Sequence, residues 1–187
     1  MIKTNLISDN IEAASYDVER LRELIPDWDD LSSTEKLEVL EDIDPDSRVT
    51  THNVITQSYR QHIAEVINPE VSTTAVDVTH MAFGNDSTAT DVADTHLLNE
   101  VYRDNVDDHV TQSAEEAYSA TTLIQSDEAV GLDLQECALV TEADESNADD
   151  LAVNRALLSD NRLQPKDGDS AVTVTITITY LDESEAV

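Results

Sequence analysis

Apolar residues recur at alternating three- and four-residue steps near the start of the chain. The positions are Ile11, Ala14, Val18, Leu21 and Ile25. Such a spacing puts all five on one stripe of a helix. Ser8 or Asp9 can cap the beginning of this helix, and Pro26 ends it. The pattern therefore predicts a first helix that buries one apolar stripe.

The stripe has two interpretations that the sequence leaves open. It can pack on the chain's own domain, as amphipathic helices commonly do. Because it also forms a short a/d repeat of about two heptads, it can instead dock against another subunit. On the second interpretation, Ile11, Ala14, Val18, Leu21 and Ile25 are the candidate assembly contacts.

Two further helices follow. Ser32 and Glu35 form the Ser-x-x-Glu pattern of a capping box, ahead of the apolar positions Leu37, Leu40 and Ile43. A third helix is expected over residues 51–67, with His62 as a packing residue on its apolar face and Asn68-Pro69 at its end.

Beyond Pro69 the pattern favours strands. Residues 76–83 and 132–140 are short apolar strand candidates, and residues 88–102 fit either a helix or a loop. The clearest element is residues 172–180, where Val, Ile and Tyr alternate with four Thr. This alternation predicts a long strand with one apolar face and one Thr face. So regular a strand needs both edges covered, by its own sheet or by a neighbouring subunit.

Composition indicates the solvent in which the chain works. The formal net charge is −31, from 41 acidic and 10 basic residues, and only three of the basic residues are Lys. At about 1 M salt the Debye length falls to about 3 Å, which screens most of the resulting repulsion. This bias resembles that of haloarchaeal proteins. A hydrophobic content of 40% argues against disorder of the whole chain.

The charge also argues against several partners. Nucleic-acid binding needs clustered cations, and the one close pair, Arg20 and Arg22, stands among acids. No apolar run is long enough to cross a bilayer, so no membrane insertion is expected. Residues 1–10 lack the pattern of a secretory signal, which predicts a protein used without export or carried out of the cell inside a larger particle.

No catalytic, cofactor or metal site is predicted. Asp42-x-Asp44-x-Asp46 begins like a calcium loop, but Ser47 and Asn53 occupy the positions of its turn glycine and closing Glu. The five histidines lack zinc-helix spacing, and three glycines cannot supply a phosphate-binding loop. Cys137 lies in an apolar strand candidate, which favours a buried and inert thiol.

A resemblance covers most of residues 50–181 and none of the first 45. Its motifs are Thr-Thr-His-Asn-Val-Ile-Thr from Thr50, Val-Thr-His-Met-Ala-Phe-Gly-Asn-Asp-Ser-Thr-Ala-Thr from Val78, and Asp-Thr-His-Leu-Leu-Asn-Glu-Val-Tyr-Arg from Asp94. Residues 134–140, residues 151–158 and the closing Thr-alternating strand extend it. These stretches resemble a family of tailed-virus structural proteins, described as tail, tail-fibre or baseplate components. Asp86 replaces the second turn glycine of that family, and Cys137-Ala138 replaces a small-Gly step.

The resemblance implies an antiparallel β-sandwich in a virion appendage, commonly oligomeric and without an active site. Together with the helical pattern it predicts an α+β fold in which N-terminal helices precede an antiparallel β-sandwich. Residues 1–48 would form a helical arm, residues 49–181 a β-sandwich with a leading helix, and residues 182–187 an acidic mobile tail.

The expected function is that of a non-enzymatic structural component of a tailed-virus virion, in the tail, baseplate or fibre assembly. The virus is expected to infect a halophilic archaeal host. The alternatives are a capsid decoration or turret protein and a module that recognises the host cell surface. Expected partners are other virion proteins and further copies of the chain. The expected location is the virion, assembled in the host cytoplasm.

Overall fold

Nine strands and three short helices make up the computed structural model. It describes residues 7–67, 77–112, 117–144, 150–158 and 165–180, together with residues 146 and 163. The strands are β1 (Ile7–Asp17), β2 (Ser47–Ile55), β3 (His80–Gly84), β4 (Glu100–Asn105), β5 (Asp108–Gln112), β6 (Ala117–Ile124), β7 (Glu136–Val140), β8 (Asn154–Leu157) and β9 (Ser170–Tyr180). The helices are α1 (Val18–Leu24), α2 (Ser33–Leu40) and α3 (Gln57–Ile67).

All nine strands belong to one antiparallel sheet. Their order is β4-β3-β7-β8-β2-β1-β9-β6-β5. The two edge strands, β4 and β5, are consecutive in the chain and are separated only by Val106 and Asp107. The Val106 amide donates to the Thr79 carbonyl at 3.0 Å, and the Asp107 amide donates to the Thr121 carbonyl at 2.9 Å. The sheet therefore curls into a half-barrel whose edges approach each other at this junction.

The long strand β9 is an interior strand, third from the β5 edge of the sheet. It pairs with β1 along one edge and with β6 along the other, so both edges are covered by the chain's own sheet. Its inward side chains Val172, Val174, Ile176 and Ile178 are at most 3% exposed. Burial of each such side chain contributes about 1.5–3 kcal/mol to folding. They form part of the main core inside the curl.

The first predicted helix is wrong over residues 7–17, which form β1 between β2 and β9. Ile11 and Ala13 face the main core, while Ala14 and Tyr16 face a second core on the other side of the sheet. On the outer face of β1, Asn10 and Glu12 are polar and at least partly exposed, whereas Ala14 and Tyr16 are buried. The two-residue alternation is therefore limited to the first half of the strand. The helix begins later, at Val18, and the side chain of Asp17 caps it by accepting from the Arg20 amide at 2.9 Å.

The second core lies between the sheet and a helical layer. Val18 and Leu21 of α1, Trp28 of a 3₁₀ turn and Leu40 of α2 contact it, and all four are buried. The predicted capping box of α2 is confirmed, with reciprocal bonds between Ser32 and Glu35. This layer covers one end of the outer face of the β1-β9-β6 half.

The third helix is confirmed over part of its predicted range. Residues 51–55 are strand, and α3 begins only at Gln57. Thr56 separates the two, and its hydroxyl accepts from the Tyr59 amide at 3.2 Å. Thr, Ile and Val pair well in a strand, so the β8 partner of residues 53–55 extends β2 at the expense of the helix.

The chain is therefore mostly antiparallel β, with the three helices distributed around one curled sheet. It does not divide into N-terminal helices followed by a sandwich. The boundary predicted between residues 48 and 49 falls inside β2, whose first half pairs with β1 and whose second half pairs with β8. The predicted acidic tail, residues 182–187, lies outside the described residues.

Candidate functional site

The five predicted assembly contacts do not form one surface. Ile11, Ala14, Val18 and Leu21 are at most 3% exposed, and they are divided between the two cores on opposite faces of the sheet. Ile25 is half-buried at the end of α1. The contact with another subunit stays a prediction, and the surface available for it at this end of the chain is the one around Ile25.

That surface is an open groove between α1 and α2, with a volume of about 510 Å³. Leu24, Ile25, Val39 and Ile43 supply its apolar lining, and the Leu24 side chain is 58% exposed. Arg20, Asp42 and Asp44 form the rest of its lining. Two of the three acids of the calcium-like pattern, Asp42 and Asp44, therefore border an apolar groove. Asp46, the third of them, accepts from the Asp17 amide at 2.6 Å and from Arg20 at 2.9 Å.

A buried ion pair lies on the outer face of the other half of the sheet. Arg155 of β8 and Glu136 of β7 both have fully buried side chains, and the Nε of Arg155 lies 2.6 Å from Oε2 of Glu136. Arg155 also contacts Asp94 at 2.8 Å and donates to the Thr88 carbonyl at 2.9 Å. An unpaired charge would be costly at this depth, so every group in the cluster needs its partners.

The cluster holds the loop of residues 85–99 against the sheet. Glu136 accepts from the backbone amides of Leu98 at 3.3 Å and Asn99 at 3.0 Å. A side chain at Gly84 would collide with the Glu136 carboxylate and would place its Cβ 2.7 Å from the Asn99 carbonyl oxygen. Gly84 therefore permits the close approach of loop, strand and carboxylate.

Arg103 of the edge strand β4 forms a second cluster. It makes a bidentate contact with Glu100, at 2.7 Å for both bonds, and lies 3.0 Å from Asp150. It also donates to the Glu142 carbonyl at 2.6 Å. The other Asp150 oxygen accepts from the Glu142 amide at 3.2 Å. Together these bonds attach residues 142 and 150 to the edge strand β4.

Two lysines are used in a similar way. Lys166 is 1% exposed, and its ammonium donates to the carbonyls of Asp167 and Ser170, each at 3.1 Å. Burial lowers the pKa of Lys166. Lys36 lies over the Trp28 ring, 5.2 Å from its centroid, and donates to the Gln125 side chain at 2.7 Å. Lys166 also donates to the Ser126 carbonyl at 3.3 Å, so both lysines join segments that are distant in sequence.

In the described ranges, the basic side chains bond to groups of the same chain. Lys3 and Arg162 lie outside the described residues. Each of the other eight Lys and Arg side chains contacts an acidic side chain, an amide side chain or a backbone carbonyl of the same chain.

A cleft opens beside β5, where residues 77–78 lead into β3. Its volume is about 330 Å³. Tyr59 of α3, His109 of β5 and Tyr118 of β6 line it, together with Asp77, Val78, Val153 and Ile178. Val153 and Ile178 are buried members of the main core, so the cleft reaches the interior of the curl.

The polar groups of the cleft are partly oriented by each other. Nδ1 of His109 and the hydroxyl of Tyr118 lie 2.8 Å apart, and their rings stack with centroids 6.2 Å apart. Burial raises the pKa of Tyr118 to about 12. The phenol therefore stays neutral at ordinary pH. Sequence reasoning missed this cleft, because its aromatic residues stand 9 to 59 positions apart and no local motif connects them.

Cys137 and His62, two candidates for chemistry in the sequence, lie wholly or partly in the interior. Within the described ranges, no cluster of three or more His, Cys, Asp or Glu could hold a metal ion. Cys137 is fully buried, and burial raises the pKa of its thiol well above the ordinary range. His62 is half-buried, and its Nε2 atom is buried without a hydrogen-bond partner.

Arg155 and Glu136 were also missed as a structural pair. The signal available in the sequence was a charged residue within the apolar strand candidate 132–140 and another within the apolar segment 151–158. A charge in such a position requires a partner, although the pattern does not say which one.

In the described part of the chain, no helix is long and apolar enough to cross a membrane. Comparison of the chain with protein-family models, with curated proteins and with solved structures finds no match.

Proposed function

We propose that this protein is a non-enzymatic structural component of the virion of a tailed virus, in its tail, baseplate or fibre assembly, and that its host lives in molar salt. The motif resemblance over residues 50–181 supports the virion part of this proposal. The net charge of −31 supports the salt part, since such a charge needs screening at short range.

The single observation that carries the proposal is the use of charged side chains inside the chain. The Arg155 and Arg103 clusters fix the loop of residues 85–99 and the segment around residue 150 onto the sheet. A component repeated many times in a particle needs loops of fixed shape, because every copy must present the same surface. Buried and fully bonded ion networks supply such rigidity.

The groove between α1 and α2 is the contact surface that suits other virion proteins or a further copy of the chain. Leu24, Ile25, Val39 and Ile43 offer apolar area that molar salt does not weaken. A single contact of this size would be weak in isolation, and the symmetry of a particle would multiply it. This surface replaces the continuous stripe expected from the sequence.

Fractionation of virus particles tests the virion assignment. Particles grown on a halophilic host would be banded in a molar-salt density gradient, and peptides of this chain would be quantified by mass spectrometry across the fractions. We expect the peptides to band with the major virion proteins at a constant ratio. Peptides confined to the soluble protein at the top of the gradient would contradict the assignment.

A groove variant tests the assembly contact. Leu24→Asp changes an exposed side chain, so the isolated chain should keep its melting temperature while its incorporation into particles falls. Glu23→Gln, at the adjacent exposed position, is the matched control and should incorporate normally. Val18 and Leu21 do not suit this test, because an Asp at either buried position would unfold the chain. Normal incorporation of Leu24→Asp would contradict the groove contact.

A further inference from the structure

Aromatic side chains are scarce in this protein and two of them meet at one cleft. The chain has five Tyr, one Trp and one Phe. Trp28 and Phe83 are buried in the cores, whereas Tyr59 and Tyr118 line the cleft beside β5. Tyr59 comes from α3 and Tyr118 from β6, so the fold brings the two rings together from distant parts of the sequence.

The floor and the walls of the cleft differ in chemistry. Val153 and Ile178, which belong to the main core, provide an apolar floor, and Val78 adds to the apolar lining. Asp77, His109 and the Tyr118 hydroxyl provide polar groups. A concave site with aromatic and apolar walls and a few convergent polar groups is the usual form of a small-molecule site.

Charge restricts the ligand. Among the described residues, no Lys or Arg lines the cleft, and the eight basic side chains there have partners elsewhere. An anionic ligand would therefore meet the Asp77 carboxylate and the net charge of −31 with no compensating cation. In molar salt, attraction between exposed charges is screened within about 3 Å, whereas stacking and hydrogen bonding persist. The cleft thus favours a neutral ligand.

Size and chemistry together point to one class. A volume of about 330 Å³ lies at the lower end of the range for ligand pockets, about 300–1,000 Å³, and suits a single ring. A sugar ring has apolar C–H faces that pack on aromatic rings and hydroxyls that bond to carboxylate, imidazole and phenol groups. We propose that the cleft formed by Tyr59, His109, Tyr118 and Asp77 binds the neutral pyranose ring of a glycan.

In this arrangement the residues have separate tasks. The Tyr59 and Tyr118 rings contact the faces of the sugar, and the Asp77 carboxylate accepts from its hydroxyls. The His109–Tyr118 bond fixes both rings before the ligand arrives, which reduces the ordering cost of binding. The proposal does not depend on the virion assignment, because its test needs only the isolated full chain.

Binding can be measured by NMR on the full chain in 2 M KCl. The probes are the methyl glycosides of glucose, galactose, mannose and N-acetylglucosamine, with tetramethylammonium chloride as a cationic probe of similar size. We expect saturable shifts with at least one glycoside, and we expect the shifted amides to lie around residues 59, 78, 109 and 118. This mapping needs no substitution, so it stands even if a variant fails to fold.

Variants then assign the contacts. Tyr59→Ala and His109→Ala should each raise the Kd at least tenfold, while Tyr59→Phe, which keeps the ring, should raise it by less. Val110→Ala is the matched control on β5, since Val110 is 40% exposed and does not line the cleft, and its Kd should match that of the wild type.

Three results would overturn the proposal. One is the lack of saturable binding by any glycoside, and another is a set of shifts that maps away from the cleft. The third is binding of tetramethylammonium at the cleft with no glycoside binding, which would make it a cation site of the aromatic-cage type.

Discussion

Arg155 of β8 and Glu136 of β7 lie diagonally across neighbouring strands, since Glu136 pairs with Leu157 in the register, and they form an ion pair in which both side chains are fully buried, with Nε 2.6 Å from Oε2. Asp94 completes the arrangement at 2.8 Å from Nη1 of Arg155. The pair lies under the loop of residues 85–99 and both of its members bond to that loop. Glu136 accepts from the Asn99 amide, and Arg155 donates to the Thr88 carbonyl. It therefore couples the stability of the sheet to the conformation of the loop.

Removal of the Arg155 side chain should be strongly destabilising. Arg155→Ala leaves the Glu136 carboxylate buried without its cation, which typically costs about 3–5 kcal/mol in the free energy of unfolding. Urea unfolding in 2 M KCl measures this loss. Arg48→Ala is the control, because its partner Glu12 lies 3.3 Å away and both side chains are about half exposed. The control should lose less than about 1 kcal/mol. Equal losses would contradict the role given to the buried pair.

Gly84→Ala should disturb the same region by a steric route. The new Cβ would meet the Glu136 carboxylate and would lie 2.7 Å from the Asn99 carbonyl oxygen, so loop or strand must move. We expect a loss of about 1–3 kcal/mol in the free energy of unfolding. Gly168→Ala is the matched control, since its Cβ would meet no atom closer than 3.9 Å. An unchanged free energy of unfolding for Gly84→Ala would contradict this steric conflict.

Stability should rise steeply with salt. The net charge of −31 repels itself, and this repulsion is screened more strongly as KCl increases from 0.1 to 2 M. Thermal melts over this range measure the effect. A variant with Gln at the exposed positions Glu19, Glu23, Glu38 and Glu41 removes four negative charges, and its melting temperature should depend less on salt. A wild-type melting temperature independent of KCl would contradict adaptation to high salt.

The Cys137 thiol should be unreactive in the folded chain. It is fully buried, and burial raises its pKa, so the reactive thiolate is not formed near neutral pH. A colorimetric disulfide reagent should detect no thiol in native protein in 2 M KCl, and one thiol per chain after urea unfolding. Cys137→Ser is the blank for the assay. Rapid labelling of the native chain would contradict the placement of β7 inside the core.

Tyr118 should titrate abnormally at high pH. Its folded pKa of about 12 exceeds the ordinary phenol value of about 10, so between these values the folded chain keeps a proton that the unfolded chain loses. The stability from this group is complete below about pH 10 and is lost as the pH rises to about 12. The phenolate absorbance of native protein measures the titration. Tyr118→Phe should remove the step near pH 12, and removal of a step near pH 10 instead would contradict burial of the phenol.

The sequence by itself determined the elements whose signals are local. The alternation of residues 172–180 fixed β9 and its two faces, because one face is buried and the other is only partly covered. The Ser32–Glu35 box located the beginning of α2 within a few residues of chain. The acidic composition set the expectation of molar salt without reference to any fold.

Only the tertiary structure decided that residues 7–17 form a strand and which partners the buried charged residues have. β1 is a strand because β2 and β9 pair with it on both sides, and the helical layer buries Ala14 and Tyr16, which ends the alternation begun by Asn10 and Glu12. Arg155 and Asp94 are 61 positions apart, and Tyr59 and Tyr118 are 59 apart. Local patterns carry no information about such pairs, because it is the packing of the loop on the sheet in the first case, and of α3 near β6 in the second, that brings each pair together.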